Sequence, residues 1–169
     1  MGRLAIALVA LAVLPDLDVL GFHAGIPYAH VLGHRGASHS LLFAAAAGFL
    51  AAGLFVRDRA PVSGRFLAVG ALASLACASH GLLDALTDAG LGIGFFLPFD
   101  DGRYFFDWRP LRTSPLSVMA FVNRRGLEIL ANEAFYIGLP AALLGGFGLA
   151  LRRLRARAES TDAAKAPTD

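Results

Sequence analysis

HRGASHSLLFAAAAGFLAAGLFV, residues 34–56, sets a polar heptapeptide directly against an apolar run. From Leu41 to Val56 no side chain carries a charge or a hydroxyl, whereas the heptapeptide holds two imidazoles, a guanidinium and two hydroxyls. Composition decides the solvent of the apolar half. The chain of 169 residues is 56% hydrophobic and 17% charged, with a mean hydropathy of +0.60. Soluble domains lie nearer about 45–50% apolar and about 25% charged. The excess assigns the run, and the chain around it, to lipid.

Outward from this junction, runs approaching the ~20 residues that span a bilayer core occur four times. They are Leu4–Phe22, interrupted by PDLD at 15–18, then Ser38–Val56, Phe66 to about Leu86, and Ile129–Leu151. Pro15 and two aspartates stand where a small-x-small cleavage site would follow the first run, so it reads as a retained span and not as a signal peptide. The expectation is an all-α integral membrane bundle of about four transmembrane helices. Residues 1–157 form a single membrane-embedded domain, and the polar, Pro-containing tail at 158–169 is disordered. Abundant Gly and Ala within the runs suit close helix packing in a membrane.

The arginines orient the bundle. Arg57, Arg59 and Arg65 fill the loop RDRAPVSGR, RRLRAR at 152–157 follows the fourth run, and Arg3 precedes the first. By the positive-inside rule these segments and both termini are cytoplasmic, in the cell's inner membrane. Basic residues at the ends of apolar runs are a membrane-flank pattern. They are not the basic face with interleaved aromatics that a nucleic acid would need. Cys77, the single cysteine, excludes an intrachain disulfide and reads as a small buried hydrophobe.

The connection between the third and fourth runs, about Leu91 to Glu128, is rich in aromatics: Phe95, Phe96, Phe99, Tyr104, Phe105, Phe106 and Trp108. DDGRYFF within it has the turn chemistry of a hairpin. Two compatible roles follow, an aromatic belt at headgroup level and a rim over a site.

Ionisable residues in or beside the runs all fall toward one side of this topology, the outer one. Asp16 and Asp18 sit in the first run, His34 and His39 open the second, His80, Asp84 and Asp88 close the third, and Glu133 lies in the fourth. Unpaired charges within a membrane are costly and so converge on partners or polar cavities. His80 and Asp84 are four apart and share a helix face, which Asp88 extends by a turn. Asp16 and Asp18 share a side only where the chain is extended or turning, and Pro15 makes a break there plausible. Gly36 places His34 in a loop and His39 in the first turn of the second helix. Ser38 is the expected N-cap of that helix, and Ser40 a packing residue.

Imidazoles and carboxylates in this mixture are ligands for zinc, manganese or iron, and more than four of them allow one or two ions. Asp16, Asp18, His34, His39, His80 and Asp84 form the metal set. Asp88, Glu133 and Arg35 are the candidate catalytic groups, Arg35 as a clamp on a phosphate oxygen. His23 and His30 are expected to pack.

LPDLD, HRGASHS and SHGLLDALTDAGLGIGFFLPFDDGRYFF followed by W-R-P resemble, in order, the motifs of the YdjM-like family of inner-membrane metal-dependent hydrolases, over roughly residues 13–112. That resemblance implies a membrane-bound hydrolase with metal ligands at the six residues named. A more distant similarity to the zinc-dependent phospholipases C implies a phosphodiester or phospholipid headgroup as substrate. Two departures stand out: family members commonly begin with an additional helix carrying a T-H pair, and position 38 is Ser where Thr is usual. A metal or proton transporter, or a scaffold retaining a metal site, would use the same residues. The inner ends of the runs, Phe49–Val56 and Leu143–Leu151, carry no ionisable group, which favours a one-sided site over a passage.

Overall fold

The computed structural model describes residues 2–57, 62–115 and 118–165. Arg59 and the rest of 58–61, and residues 166–169 of the tail, therefore lie outside the described residues. Apolar runs without turn residues become helices. α1 (Gly2–Val13) is followed without a break by a 3-10 segment, Leu14–Ala24, which closes on Gly25 at φ 76. Pro15 stands in the first turn of that segment, where its missing N–H costs no hydrogen bond. PDLD thus tightens the first run and does not interrupt it. Gly25 takes the left-handed conformation and its N–H donates to the carbonyls of Gly21 and Phe22.

Three residues per turn sort the side chains of this segment into three stripes. Pro15 is buried and Asp18 mostly so, while Leu17 and Leu20, on a second stripe, are 58% and 60% exposed. Asp16 falls on the third. The two aspartates of PDLD therefore leave the chain in different directions, which an extended strand would not have given.

α2 (Leu41–Phe55) begins one turn later than the apolar pattern suggested, and its cap is Ser40, whose hydroxyl accepts the Phe43 N–H at 3.1 Å. Ser38 and Ser40 thus exchange their expected roles. His39 ends a short 3-10 turn, Ala37–His39, ahead of the helix. α3 (Gly64–Asp84) is capped by the Ser63 hydroxyl in the same way. α2 and α3 run antiparallel: Gly48 lies on Ser74, Phe49 covers Gly70, and the His39 carbonyl meets Gly81. Leu11 of α1 completes a small core with Ala44, Ala73 and Cys77, the cysteine buried and free as expected.

Gly2–Ala24, Gly64–Asp84 and Arg124–Arg157 are each long and apolar enough to cross a membrane, and α2 is a shorter apolar helix. The described chain is an all-α membrane bundle. Among the described residues the aromatic connection holds no two-residue hairpin. Single bridges join Ile93 to Tyr104 and Thr87 to Leu111, and the Asp-Gly turn is an Asx-type turn in which the Asp100 carboxylate accepts the Gly102 N–H at 2.8 Å and the Tyr104 hydroxyl. Those two bonds, the tyrosine's first, hold the Asp100 carboxyl below its ordinary range. Phe96, Phe99, Phe106 and Trp108 are exposed.

By its internal contacts the chain divides into two compact units, Met1–Val118 and Met119–Asp169. In the second unit, α4 (Val118–Phe121) precedes α5 (Arg124–Glu133), capped by Asn123. A π turn at Ala134–Gly138 leads into α6 (Leu139–Lys165). The backbone remains helical to Lys165, where the sequence suggested an irregular tail from 158. The alanines, glutamate and lysine of that stretch are good helix formers that prolong an existing helix without a new nucleus.

A Cβ at Gly48 would lie 2.3 Å from the Ser74 backbone nitrogen, whereas one at Gly53 meets nothing within 4 Å. Gly48→Leu is expected to destabilise the α2–α3 pair by about 3 kcal/mol or more, and Gly53→Ala to be neutral. Thermal unfolding of both variants in detergent checks this, and equal melting temperatures would contradict the packing described.

Candidate metal centre

His39 is the junction of the polar cluster. Its side chain is fully buried, and each ring nitrogen addresses a different set of residues. Nδ1 lies 3.2 Å from Asp18 Oδ2, while Nε2 lies 3.4 Å from Asp84 Oδ2 and 3.9 Å from Asp16 Oδ1. Across from it, His80 Nε2 is 3.1 Å from Asp16 Oδ1 and 3.9 Å from Asp84 Oδ2. The 3-10 segment supplies the aspartates, the Gly36–Ser40 turn supplies His39, and the last turn of α3 supplies His80 and Asp84.

Among the described residues, four buried side-chain atoms have no hydrogen-bond partner: His39 Nε2, His80 Nε2, Asp84 Oδ2 and Arg35 Nε. The first three converge with Asp16 Oδ1 within 4.8 Å of one another. An unsatisfied polar group in an apolar interior is costly, and three that face one point are an arrangement a cation would satisfy. Zinc bonds of about 2.0–2.1 Å in tetrahedral geometry separate their ligands by about 3.3 Å. The four His–Asp spacings, 3.1–3.9 Å, bracket that separation.

The tautomers fit as well. His80 Nδ1 donates to the Ala12 carbonyl at 2.8 Å, and His39 Nδ1 points to the Asp18 carboxylate. Each contact places the proton on Nδ1 and leaves Nε2 with a lone pair for a metal, the usual outer-sphere support of a histidine ligand. Two imidazoles and the Asp84 carboxylate are the buried part of the set. Asp16, with its side chain 51% exposed, is the accessible member.

The second possible group, Asp18, His34 and His39, is built differently. Asp18 accepts from His34 Nδ1 at 2.7 Å, the Ser38 hydroxyl at 2.6 Å and the Arg35 N–H at 3.2 Å, besides facing His39. Among the described residues, the one buried side-chain atom of this group without a hydrogen-bond partner is His39 Nε2, which faces the other way. Geometrically, Asp18 and His34 therefore stand behind the first group as supports, although the sequence pattern placed all six residues on one footing.

Arg35 was expected to reach a phosphate oxygen. Its side chain is almost fully buried and engaged: NH1 donates to the Ala89 and Leu91 carbonyls at 2.9 and 3.1 Å, NH2 donates to Thr87 Oγ1 at 3.0 Å, and Nε lies 3.3 Å from Asp84 Oδ2. It braces the loop after α3 and balances the Asp84 charge. Its backbone has φ 64, an unusual conformation for a residue with a Cβ. Arg103 answers it from the aromatic connection, with NH1 donating to the Arg35 carbonyl at 2.6 Å and NH2 to the His30 carbonyl at 3.0 Å.

Asp88 does not extend the His80–Asp84 face, because α3 ends at Asp84. It is exposed and accepts the Thr113 N–H at 2.9 Å. Glu133, the last residue of α5, lies half-buried in the second unit. His30 Nδ1 accepts the Leu32 N–H at 3.1 Å and His23 is exposed, neither in the cluster. Thr87, Arg103 and the supporting role of Ser38 were not apparent in the sequence. All three depend on loop contacts that no helical or strand spacing announces.

A profile of the YdjM inner membrane protein family matches residues 2–154. The chain is 36% identical over 149 residues to "Inner membrane protein YbcI" of Escherichia coli (strain K12), covering 85% of this chain and 82% of that protein. No solved structure matches significantly. Neither match bears on the more distant likeness to phospholipases C.

His80→Ala and Asp84→Asn are each expected to remove stoichiometric Zn²⁺ or Mn²⁺ binding in calorimetric titration of metal-stripped protein. Asp18→Asn should weaken it by about 10–100-fold, the usual effect of losing an outer-sphere partner. Because imidazoles ligate only when neutral, affinity should also fall as the pH is lowered from about 7.5 to about 5.5. Wild-type affinity in His80→Ala would exclude this geometry.

Proposed function

The chain belongs to the YdjM inner membrane protein family, and on that premise we propose that it is a membrane-bound metal-dependent hydrolase acting on a phosphoester or related ester. The observation that carries the reading is the convergence of His39 Nε2, His80 Nε2 and Asp84 Oδ2, buried and without hydrogen-bond partners, on the exposed Asp16. Two histidines and one carboxylate, with a fourth ligand open to replacement, are the donor set of hydrolytic sites. Structural zinc sites are closed and usually rich in thiolate.

A divalent ion bound there, zinc or alternatively manganese or iron, would polarise a phosphoryl or carbonyl oxygen and lower the pKa of a water. The protein's own residues hold and orient. Asp18 fixes the His39 ring through Nδ1, the Ala12 carbonyl fixes the His80 ring, and Arg35 keeps Asp84 charged and in place. Asp16 leaves the cluster approachable from its side. Transport is less well supported: α2 has no ionisable residue, and α3 only the buried Cys77 thiol between Arg65 and His80, so charged groups and imidazoles gather at one end of the α2–α3 pair.

Protein purified without chelators should carry about one zinc or manganese per chain by elemental analysis, lost in His39→Ala. Turnover of a phosphodiester or phospholipid panel should stop with EDTA and return with the added metal. Uptake of metal into proteoliposomes that depends on His80, without turnover, would replace this reading by a transporter.

A further inference from the structure

The cluster lies below the level a polar site would have if it stood in water. From Leu4, ten residues of α-helix and three of 3-10 helix carry the chain about 20 Å to Asp16, at 1.5 and 2.0 Å per residue. From Phe66, α3 reaches His80 after about 21 Å and Asp84 after about 27 Å. A hydrocarbon core is about 30 Å thick. Both paths therefore put the ligands roughly 3–10 Å beneath its boundary on the loop side. α2 gives the same answer independently. It is only 15 residues long, about 22 Å, and it begins beside His39, so the shortfall against the full core is the depth at which the cluster sits.

The loop side is closed. Thr87 and the Arg35 side chain are buried, the Arg35 guanidinium is bonded to the carbonyls of Ala89 and Leu91, and the following loop segment at 94–95 is tied down at two points. The Gly94 N–H donates to the Arg35 carbonyl at 3.0 Å and the Leu41 N–H to the Phe95 carbonyl at 3.0 Å. Within the first unit, the exposed candidate ligand is Asp16, and apolar residues are exposed on either side of it in sequence: Val13 at 57%, one 3-10 turn before it, and Leu17 and Leu20 at 58% and 60% on the adjacent stripe. This surface is continuous with the membrane-crossing face of Gly2–Ala24.

We propose that the site opens sideways into the bilayer past Asp16, and that its substrate is a membrane lipid whose acyl chain lies along Val13, Leu17 and Leu20 while its phosphoester reaches the cluster. The lateral mouth is argued from burial and depth alone, and the lipid substrate rests on the hydrolase reading. A free phosphoester with the same headgroup chemistry has no comparable path through the closed loops.

Two measurements on the full chain in nanodiscs of phosphatidylethanolamine and phosphatidylglycerol separate these points. The first uses spin labels at Asp16→Cys and Leu17→Cys, in a Cys77→Ala background, with Asp101→Cys as a water-facing reference. Collision with oxygen should dominate at 16 and 17, and collision with a water-soluble nickel chelate should be at least about tenfold lower than at 101. Equal nickel access at 16 and 101 overturns the lateral mouth whatever the activity. The second compares metal-loaded protein on nanodisc phosphatidylglycerol and on its deacylated headgroup phosphodiester. An advantage of at least about 100-fold in kcat/KM for the lipid is expected, from apolar burial of the chains. Equal rates overturn lipid entry and leave the hydrolase standing. Turnover of neither, with metal bound, overturns the hydrolase reading and with it the lipid substrate, and the spin labels still decide the mouth.

Discussion

A buried carboxylate in a membrane protein must be surrounded by donors or it will not stay charged, and Asp18 meets that demand from a single turn. The His34 ring, the Arg35 backbone, the Ser38 hydroxyl and the His39 ring all face it. Because those donors lie within HRGASHS and the acceptor lies in PDLD, this one group joins the first helical segment to the start of the second. It also sets the angle at which the His39 ring is presented to Asp16, His80 and Asp84. The ligand geometry follows from the support, and so does the side of the cluster left open.

The loops repeat this logic with the charges reversed. Arg35 sends its side chain into the carbonyls after α3, and Arg103 sends its own into the carbonyls around Arg35. Carbonyl oxygens released from regular structure need donors away from water, and a guanidinium supplies several in a fixed plane. Loops of irregular backbone can then lie over a buried site without orphaned groups. The left-handed backbone at Arg35, where glycine would be less strained, is tolerated because both the side chain and the main chain of that residue are held.

Much of this architecture was legible in the residues. Helical runs follow from length and apolarity, and one-sided convergence of His80, Asp84, His39 and Asp16 follows from where ionisable groups interrupt them. Spacing could not rank the ligands. Asp16 and Asp18 look equivalent as letters, and the helical turn of that segment, which places them on different stripes, makes one a ligand candidate and the other a support. Arg35 misled for a related reason: a cation beside histidines suggests a substrate anion, yet the nearest unsatisfied oxygens are the protein's own carbonyls. The cap at Ser40 instead of Ser38, and Asp88 beyond the helix end, are one-turn errors of boundary.

Reciprocal bracing has a consequence for the order in which the chain assembles. Residues 34 and 35 cannot settle until 87–91 and then 103 have emerged from synthesis. The first two helices are therefore made while His34, Arg35 and His39 still lack part of their eventual surroundings. During that interval the nascent chain carries solvated polar groups at an interface, a state that insertion machinery or chaperones would have to tolerate. Completion of the cluster's surroundings is thus a late event, coupled to a segment nearly seventy residues downstream.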